Sequence, residues 1–273
     1  MTGPGQRSPL APFTRALAPV LVLIALITLW QGLVWARAFP ATMLPSPLAV
    51  ASRLGRDLVG GQLLGRTVVT LGEALAGCLL GALIALPLAY ALVRWPLVEA
   101  GASPFVAASQ AVPAVAIAPL LVVWIGYGVA PVVALCVLMV FFPMVLAAQL
   151  GLRQLDHDVL CAAALDGAHG WSLAWHIQWP MARRAVMTGL RGGFTLSITG
   201  AVVGEFVMGG RGLGLVVSVQ TATNDTTGLF ATIIVLCLLA ALLYLALWLV
   251  EIVTDPLRVT AAVPTTDTKE VPA

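Results

Sequence analysis

Apolar residues fall in long blocks along this chain, without the period-2 alternation of half-buried strands. Ala16 to Trp35, Val68 to Val93, Pro104 to Ile125, Val129 to Leu150, Val186 to Val207 and Leu229 to Val250 each reach the length that crosses a bilayer core of about 30 Å as a helix. Charge is confined almost wholly to the segments between them, which predicts an all-α polytopic membrane protein with six transmembrane helices. The blocks differ in ways that matter. Gly77-x-x-x-Gly81 in the second permits close helix contact, and Pro87 predicts a kink there. The third is broken by Pro113 and Pro119, whose freed carbonyls lipid cannot satisfy, so it is expected to face protein or a watery path. The fifth carries Gly189, Gly192, Gly193, Gly200 and Gly204.

One polar island interrupts the pattern between the fourth and fifth blocks. Leu155 to Pro180 holds all three histidines, His157, His169 and His176, and is too polar to sit in lipid. Asp156 or Asp158 is placed to cap a short helix over Val159 to Leu165. Gly167 falls where a helix end needs a left-handed residue. A second short helix, Trp171 to Ile177, is expected to end before Pro180. The expectation is a helix–Gly–helix bracket on the membrane surface, shaped for a partner to grip.

The segments around these are simpler. Residues 1–15 read as a flexible cytosolic lead. The first block is either a retained span or a cleaved signal peptide, and its length favours the span. Pro40 to Arg66 reads as a linker with an interfacial helix, Arg94 to Gly101 as a short turn, and Met208 to Gly228 as a polar segment with a tight turn at Gly210 to Gly214. The membrane domain is expected over 16–252, with a charged cytosolic tail over 253–273. Placing the N-terminus, the island and the tail inside leaves Arg7, Arg15, Arg94, Arg153, Arg183, Arg184, Arg258 and Lys269 cytosolic. Arg37, Arg53, Arg56, Arg66 and Arg211 then lie outside, a weak positive-inside bias.

Composition narrows the function classes. Only 10% of the 273 residues are charged and mean hydropathy is +1.00, which excludes a soluble domain. A net charge of +2 implies no nucleic acid. The single lysine, Lys269, lies in the tail, so the membrane domain holds no phosphate-loop, Schiff-base or kinase lysine. No Gly-x-Ser-x-Gly or His-Glu-x-x-His motif occurs, and Cys78, Cys136, Cys161 and Cys237 have no metal-knuckle or redox spacing. We expect no catalytic residue, no metal and no cofactor in this chain. Any energy from ATP must be supplied by another polypeptide.

The island resembles the EAA loop of ABC-importer permeases. That pattern runs Glu-Ala-Ala, three residues, Gly, nine residues, Ile-x-Leu-Pro. Here Cys161-Ala162-Ala163, Gly167 and Ile177-Gln178-Trp179-Pro180 keep every gap, with Cys161 in place of Glu and Trp179 in place of Leu. From Leu44 to Ile252 the chain is similar to permeases of the aliphatic sulfonate, taurine and nitrate importers, which include relatives for bicarbonate and for pyrimidine or flavin precursors. Leu44-Pro45-Ser46-Pro47, Trp124-Ile125-Gly126-Tyr127-Gly128, Phe142-Pro143, Gly189-Leu190-Arg191, Glu205 and Gly212-Leu213-Gly214 carry the likeness. The resemblance implies the type I importer permease fold in the cytoplasmic (inner) membrane of a prokaryote. It also implies a second copy of the permease, two cytosolic ATPase subunits, and a periplasmic or lipid-anchored solute-binding protein. Alternating access would move a small solute, a sulfonate-, taurine- or nitrate-type anion first. Asp158 to Gly167 would be the coupling helix, its ATPase contact at Cys161 either weaker than the Glu contact or supplied by a neighbour such as Asp158 or Asp166, with Ile177 and Pro180 closing the motif.

Pathway candidates are Pro113, Pro119, Arg191, Gly193, Gly200 and Glu205. Arg191 reads either as an anion contact or as an anchor at the cytosolic end of its span, the second being favoured. Glu205 reads as a gate, as a docking contact for the binding protein, or as a structural acceptor for the Gly210–Gly214 backbone. Glu73 and Glu251 read as interfacial. A secondary transporter or channel working alone is the alternative, and it gives no reason for the bracket.

Overall fold

The computed structural model describes residues 12–40, 42–109 and 113–254. Most of the lead expected over 1–15, with Arg7, and nearly all of the tail expected over 253–273, with Arg258 and Lys269, lie outside the described residues. Within them helices are the only regular secondary structure and no strand occurs.

Five of the six expected spans are single helices. They are α1 (Pro12–Trp35), α3 (Gln62–Arg94), α6 (Val129–Arg153), α9 (Trp179–Met208) and α11 (Thr226–Thr254). The block from Pro104 to Ile125 is not one helix. It is divided between α4 (Pro96–Ser109) and α5 (Ala114–Ile125), with Pro113 as the N-cap residue of α5. Pro113 has no N–H to continue a ladder, and a residue before proline avoids helical geometry, so the break falls there. Pro119 does not break α5, and twelve residues at 1.5 Å each span only about 18 Å. The turn expected from Arg94 to Gly101 shrinks accordingly, since α4 begins at Pro96. Likewise Met208 to Gly228 is not all loop: Leu213–Ala222 forms α10. Pro87 lies inside α3, which continues to Arg94.

The chain divides into two compact units. The first comprises residues up to Leu63 together with Val216–Ile234. Its α2 (Pro47–Val59) is capped by Ser46, whose hydroxyl accepts from Ala49 N–H at 3.2 Å. Trp30 ties α1 to the following loop by donating from Nε1 to Pro45 O at 3.0 Å, and its ring lies 5.5 Å from that of Phe230. Arg53 bridges Asp57 and Asp225, each at 2.9 Å.

The second unit, Leu64–Leu215 with Val235–Ala273, holds the core. Two apolar clusters lie along α3, α6 and α9, the second joined by α5. One is built on Cys78, Ala85, Leu92, Val140, Met144 and Phe194, and the other on Ala74, Leu121, Val132, Leu135, Ile198 and Ala201. The small-residue faces read from the sequence make this contact possible. A Cβ at Gly77 would collide with Cys136 Cβ, and one at Gly81 would come within 3.2 Å of Val140.

Candidate coupling bracket and buried carboxyl cluster

The island forms the bracket its sequence predicts, with one correction. Asp156 caps α7 (His157–Leu165), accepting from Asp158 N–H at 2.9 Å. The helix closes in a Schellman arrangement: Ala168 N–H donates to Ala163 O at 3.0 Å and Gly167 N–H to Ala164 O at 3.1 Å. Gly167 takes φ +87°, a region L side chains avoid. No residue of α7 is buried. Asp158, Cys161, Ala162, Asp166 and Gly167 are exposed and Ala163 is half-buried. Cys161 Sγ lies 3.3 Å from His157 Nδ1, so the thiol has a neighbour within α7.

The second arm does not stop before Pro180. Helix α8 (Gly170–Leu173) runs into a π turn over Ala174–Gln178 and then into α9, making one continuous rod from Gly170 to Met208. A proline ring clashes with the carbonyl four residues back in an α-helix. The widened turn supplies the i→i+5 bond from Trp179 N–H to Ala174 O immediately before Pro180, so the helix survives the proline. Trp171 and Trp175 stack on the outside of this arm, ring centroids 6.0 Å apart, and Trp171 is 72% exposed. That exposed aromatic pair is a feature the sequence reading did not single out; its signal was the i,i+4 spacing of two tryptophans in a polar stretch.

At the far end of α9 is a second constellation. Glu205 is fully buried. Its Oε1 accepts from the Thr70 hydroxyl at 2.7 Å and its Oε2 from Gly214 N–H at 2.5 Å, while Thr70 Oγ1 accepts from Leu213 N–H at 2.8 Å. Glu205 is therefore held by the backbone of the Gly-rich turn, one of its sequence readings. Side chains are excluded around it. A Cβ at Gly212 would strike Glu205 and Thr70, and one at Gly210 would come within 2.7 Å of Glu205 Cγ. Glu73 is not interfacial as expected. It is buried one turn from Thr70 on α3 and bonded to Glu205, with its Oε2 left unpartnered among the described residues. The i,i+3 spacing of Thr70 and Glu73 was the available sign that they share a helix face.

Arg191 and Glu205 do not meet, as their separation along α9 requires. Arg191 Nη2 lies 3.0 Å from Glu251 Oε2 on α11, and its guanidinium stands 5.6 Å from the centre of the Tyr244 ring. Glu251, read as interfacial, is instead the partner of this arginine, with both side chains largely shielded. Gly193 and Gly200 pack against α6: a Cβ would approach Val140 Cγ1 to 3.1 Å and Cys136 Cα to 3.2 Å respectively. Pro113 and Pro119 are exposed. Among the described residues, no group of three or more metal-ligating side chains gathers.

Residues 77–259 match the family described as binding-protein-dependent transport system inner membrane component. The chain is 37% identical over 238 residues to the riboflavin transport system permease protein RibX of Chloroflexus aurantiacus, covering 86% of this chain and 88% of that one. It is 29% identical over 233 residues to the taurine transport system permease protein TauC of Escherichia coli, covering 82% and 84%. A chain of the MetNI methionine ABC transporter, in an inward-facing conformation, superposes with a TM-score of 0.65 at 17% identity. That match covers 73% of this chain and 99% of the other, and shows the fold. The chain is thus a multi-pass inner-membrane permease subunit of an ABC importer, with the type I permease fold, in the family that includes the taurine and aliphatic sulfonate permeases.

Proposed function

We propose that this subunit works as a pair with a second copy of itself, is driven by two cytosolic ATPase subunits seated on α7, and takes its solute from a separate binding protein. The observation that carries the coupling role is the continuity of the rod from Gly170 to Met208. Thirty-nine residues at 1.5 Å each make about 58 Å, far more than a bilayer core. Its first turns therefore project beyond the membrane, with α7 packed at their tip. A displacement of α7 by a partner is passed along one helix to the spans, where α9 packs on α6. ATP binds and is hydrolysed on the partner, and its differential contact with the bracket shifts the permease between access states. A stand-alone carrier has no use for this lever.

For the solute, the reading we adopt is a neutral heteroaromatic compound of the riboflavin kind. Its support is the 37% identity to RibX and the engagement of Arg191 by Glu251, which removes the cation best placed in a span to meet an anion. A sulfonate-type anion is the second reading, favoured by the likeness to TauC. The test is reconstitution of the permease with its ATPase and binding protein in proteoliposomes. ATP hydrolysis should be stimulated by riboflavin and not by taurine. Stimulation by taurine alone selects the anion reading, and a permease that never co-purifies with an ATPase defeats the coupled mechanism altogether.

A further inference from the structure

In the first unit, the chain leaves α1 at Trp35 and enters α2 at Pro47 around a cleft of about 620 Å³. Its walls include Val34, Phe39, Leu44 and Pro45, with Arg37, Ser46 and Thr227 as polar members. The depth of this cleft follows from the sequence. The apolar run of α1 is just long enough to cross the hydrocarbon core and ends at Trp35, two residues before Arg37. Trp35 is 78% exposed at that boundary, where indoles settle among lipid headgroups. Arg37 is therefore a cation at headgroup level.

Three features distinguish it from an ordinary surface anchor. Its backbone sits at φ +50°, a conformation that costs a non-glycine residue free energy, within a turn closed by Ala38 N–H donating to Leu33 O at 3.2 Å. Arg53 in the same unit is neutralised by two carboxylates, whereas among the described residues no acid pairs with Arg37. Ser46 beside it caps the N-terminus of the thirteen-residue α2; its oxygen accepts from Ala49 N–H, which leaves its O–H free to donate. Guanidinium, hydroxyl and helix N-terminus all suit an oxyanion. Beside the cleft, α1 offers an exposed apolar ridge, Leu26, Leu29 and Leu33, running back into the membrane.

We propose that this cleft binds the phosphate headgroup of an anionic phospholipid, held by Arg37 and the capped start of α2, with its acyl chains lying along α1. The charge of the site and its position at the end of an apolar helix favour a lipid over a soluble anion, since a soluble anion gains nothing from the ridge. The site is independent of the solute and of the coupling bracket.

The test uses the full-length permease, purified with its ATPase, stripped of lipid in detergent and titrated by native mass spectrometry with phosphatidylglycerol or phosphatidylcholine. Phosphatidylglycerol should be retained at about tenfold lower concentration, the scale of one charge-assisted contact. Arg37→Gln should abolish that preference while Arg56→Gln, an exposed arginine outside the cleft, keeps it. Leu44→Trp, which fills the cleft and leaves the charge, should lose it as well, so a folding failure of one variant does not shield the idea. Equal retention of both lipids, or an unchanged preference in Arg37→Gln, overturns the proposal. Displacement by millimolar inorganic phosphate alone would make it a soluble-anion site, and occlusion of the cleft by a second copy, read by cross-linking, would make it an interface. Either result also overturns it.

Discussion

The Thr70 hydroxyl donates to Glu205 Oε1 at 2.7 Å across 135 residues of sequence. The Thr70 Oγ1 also accepts from the Leu213 N–H, so one threonine joins α3, the end of α9 and the start of α10. Each of these groups is buried, and water is not at hand to replace a lost partner.

Thr70→Val keeps the shape and removes both bonds. It leaves a carboxyl oxygen and a peptide N–H unpaired, at a cost of roughly 1–3 kcal/mol for each group. The variant should melt well below the wild type when the purified full-length chain is heated in detergent. Thr70→Ser, which keeps the hydroxyl, should recover most of the difference. An unchanged melting temperature in Thr70→Val would show that the cluster contributes nothing to stability.

Two glycines on α3 separate packing from propensity. At Gly77 a methyl group collides with Cys136, whereas at Gly72 there is no atom within 4 Å of the added carbon. Gly77→Ala should therefore destabilise by about 1–3 kcal/mol through overpacking. Gly72→Ala should be neutral or stabilise by up to about 1 kcal/mol, since alanine is the better helix former. The same thermal melts decide it, and equal effects at the two positions would contradict the close approach of α3 and α6.

How much of this was legible beforehand depends on the range of the interaction. Local signals held: Asp156 as a cap, Gly167 as a left-handed helix end and Gly77 as a contact site are set by a few neighbouring residues and by backbone geometry. Glu205 was visible as an acid at depth, with three readings that only the position of α10 could separate. Glu73 was misread because its partner lies on another helix, and hydropathy along one segment does not reveal which face meets which. Arg191 stood beside arginines in sequence, yet its acid, Glu251, is sixty residues away on α11. Pro180 misled for a different reason: a proline normally ends a helix, and whether a π turn absorbs it depends on packing that sequence does not display.

The bracket gives a prediction specific to coupling. Gly167→Asp forces a side chain into the φ +87° conformation, a local strain of about 1–2 kcal/mol confined to an exposed turn. The protein should still insert and resist extraction by alkaline carbonate, because no buried contact is touched. ATP-driven uptake in proteoliposomes should be lost, since the tip of the lever is reshaped. Wild-type uptake in this variant would remove α7 from the path of force.

Arg191 and Glu251 offer the sharpest division between structure and solute recognition. Their contact is 3.0 Å, their side chains are 15% and 21% exposed, and Tyr244 covers the cation. If the pair is structural, Arg191→Gln and Glu251→Gln each leave the other charge without its counterpart, and the double variant is less damaged than the sum of the two. A double-mutant cycle on thermal stability should then show a coupling of roughly 0.5–3 kcal/mol. If Arg191 instead contacts a transported anion, its loss reduces uptake far more than the loss of Glu251, and the double variant does not recover. Uptake that falls in parallel for the two single variants and returns partly in the double variant makes the ion pair the function of Arg191. Uptake lost with Arg191 alone would return the anion reading to first place.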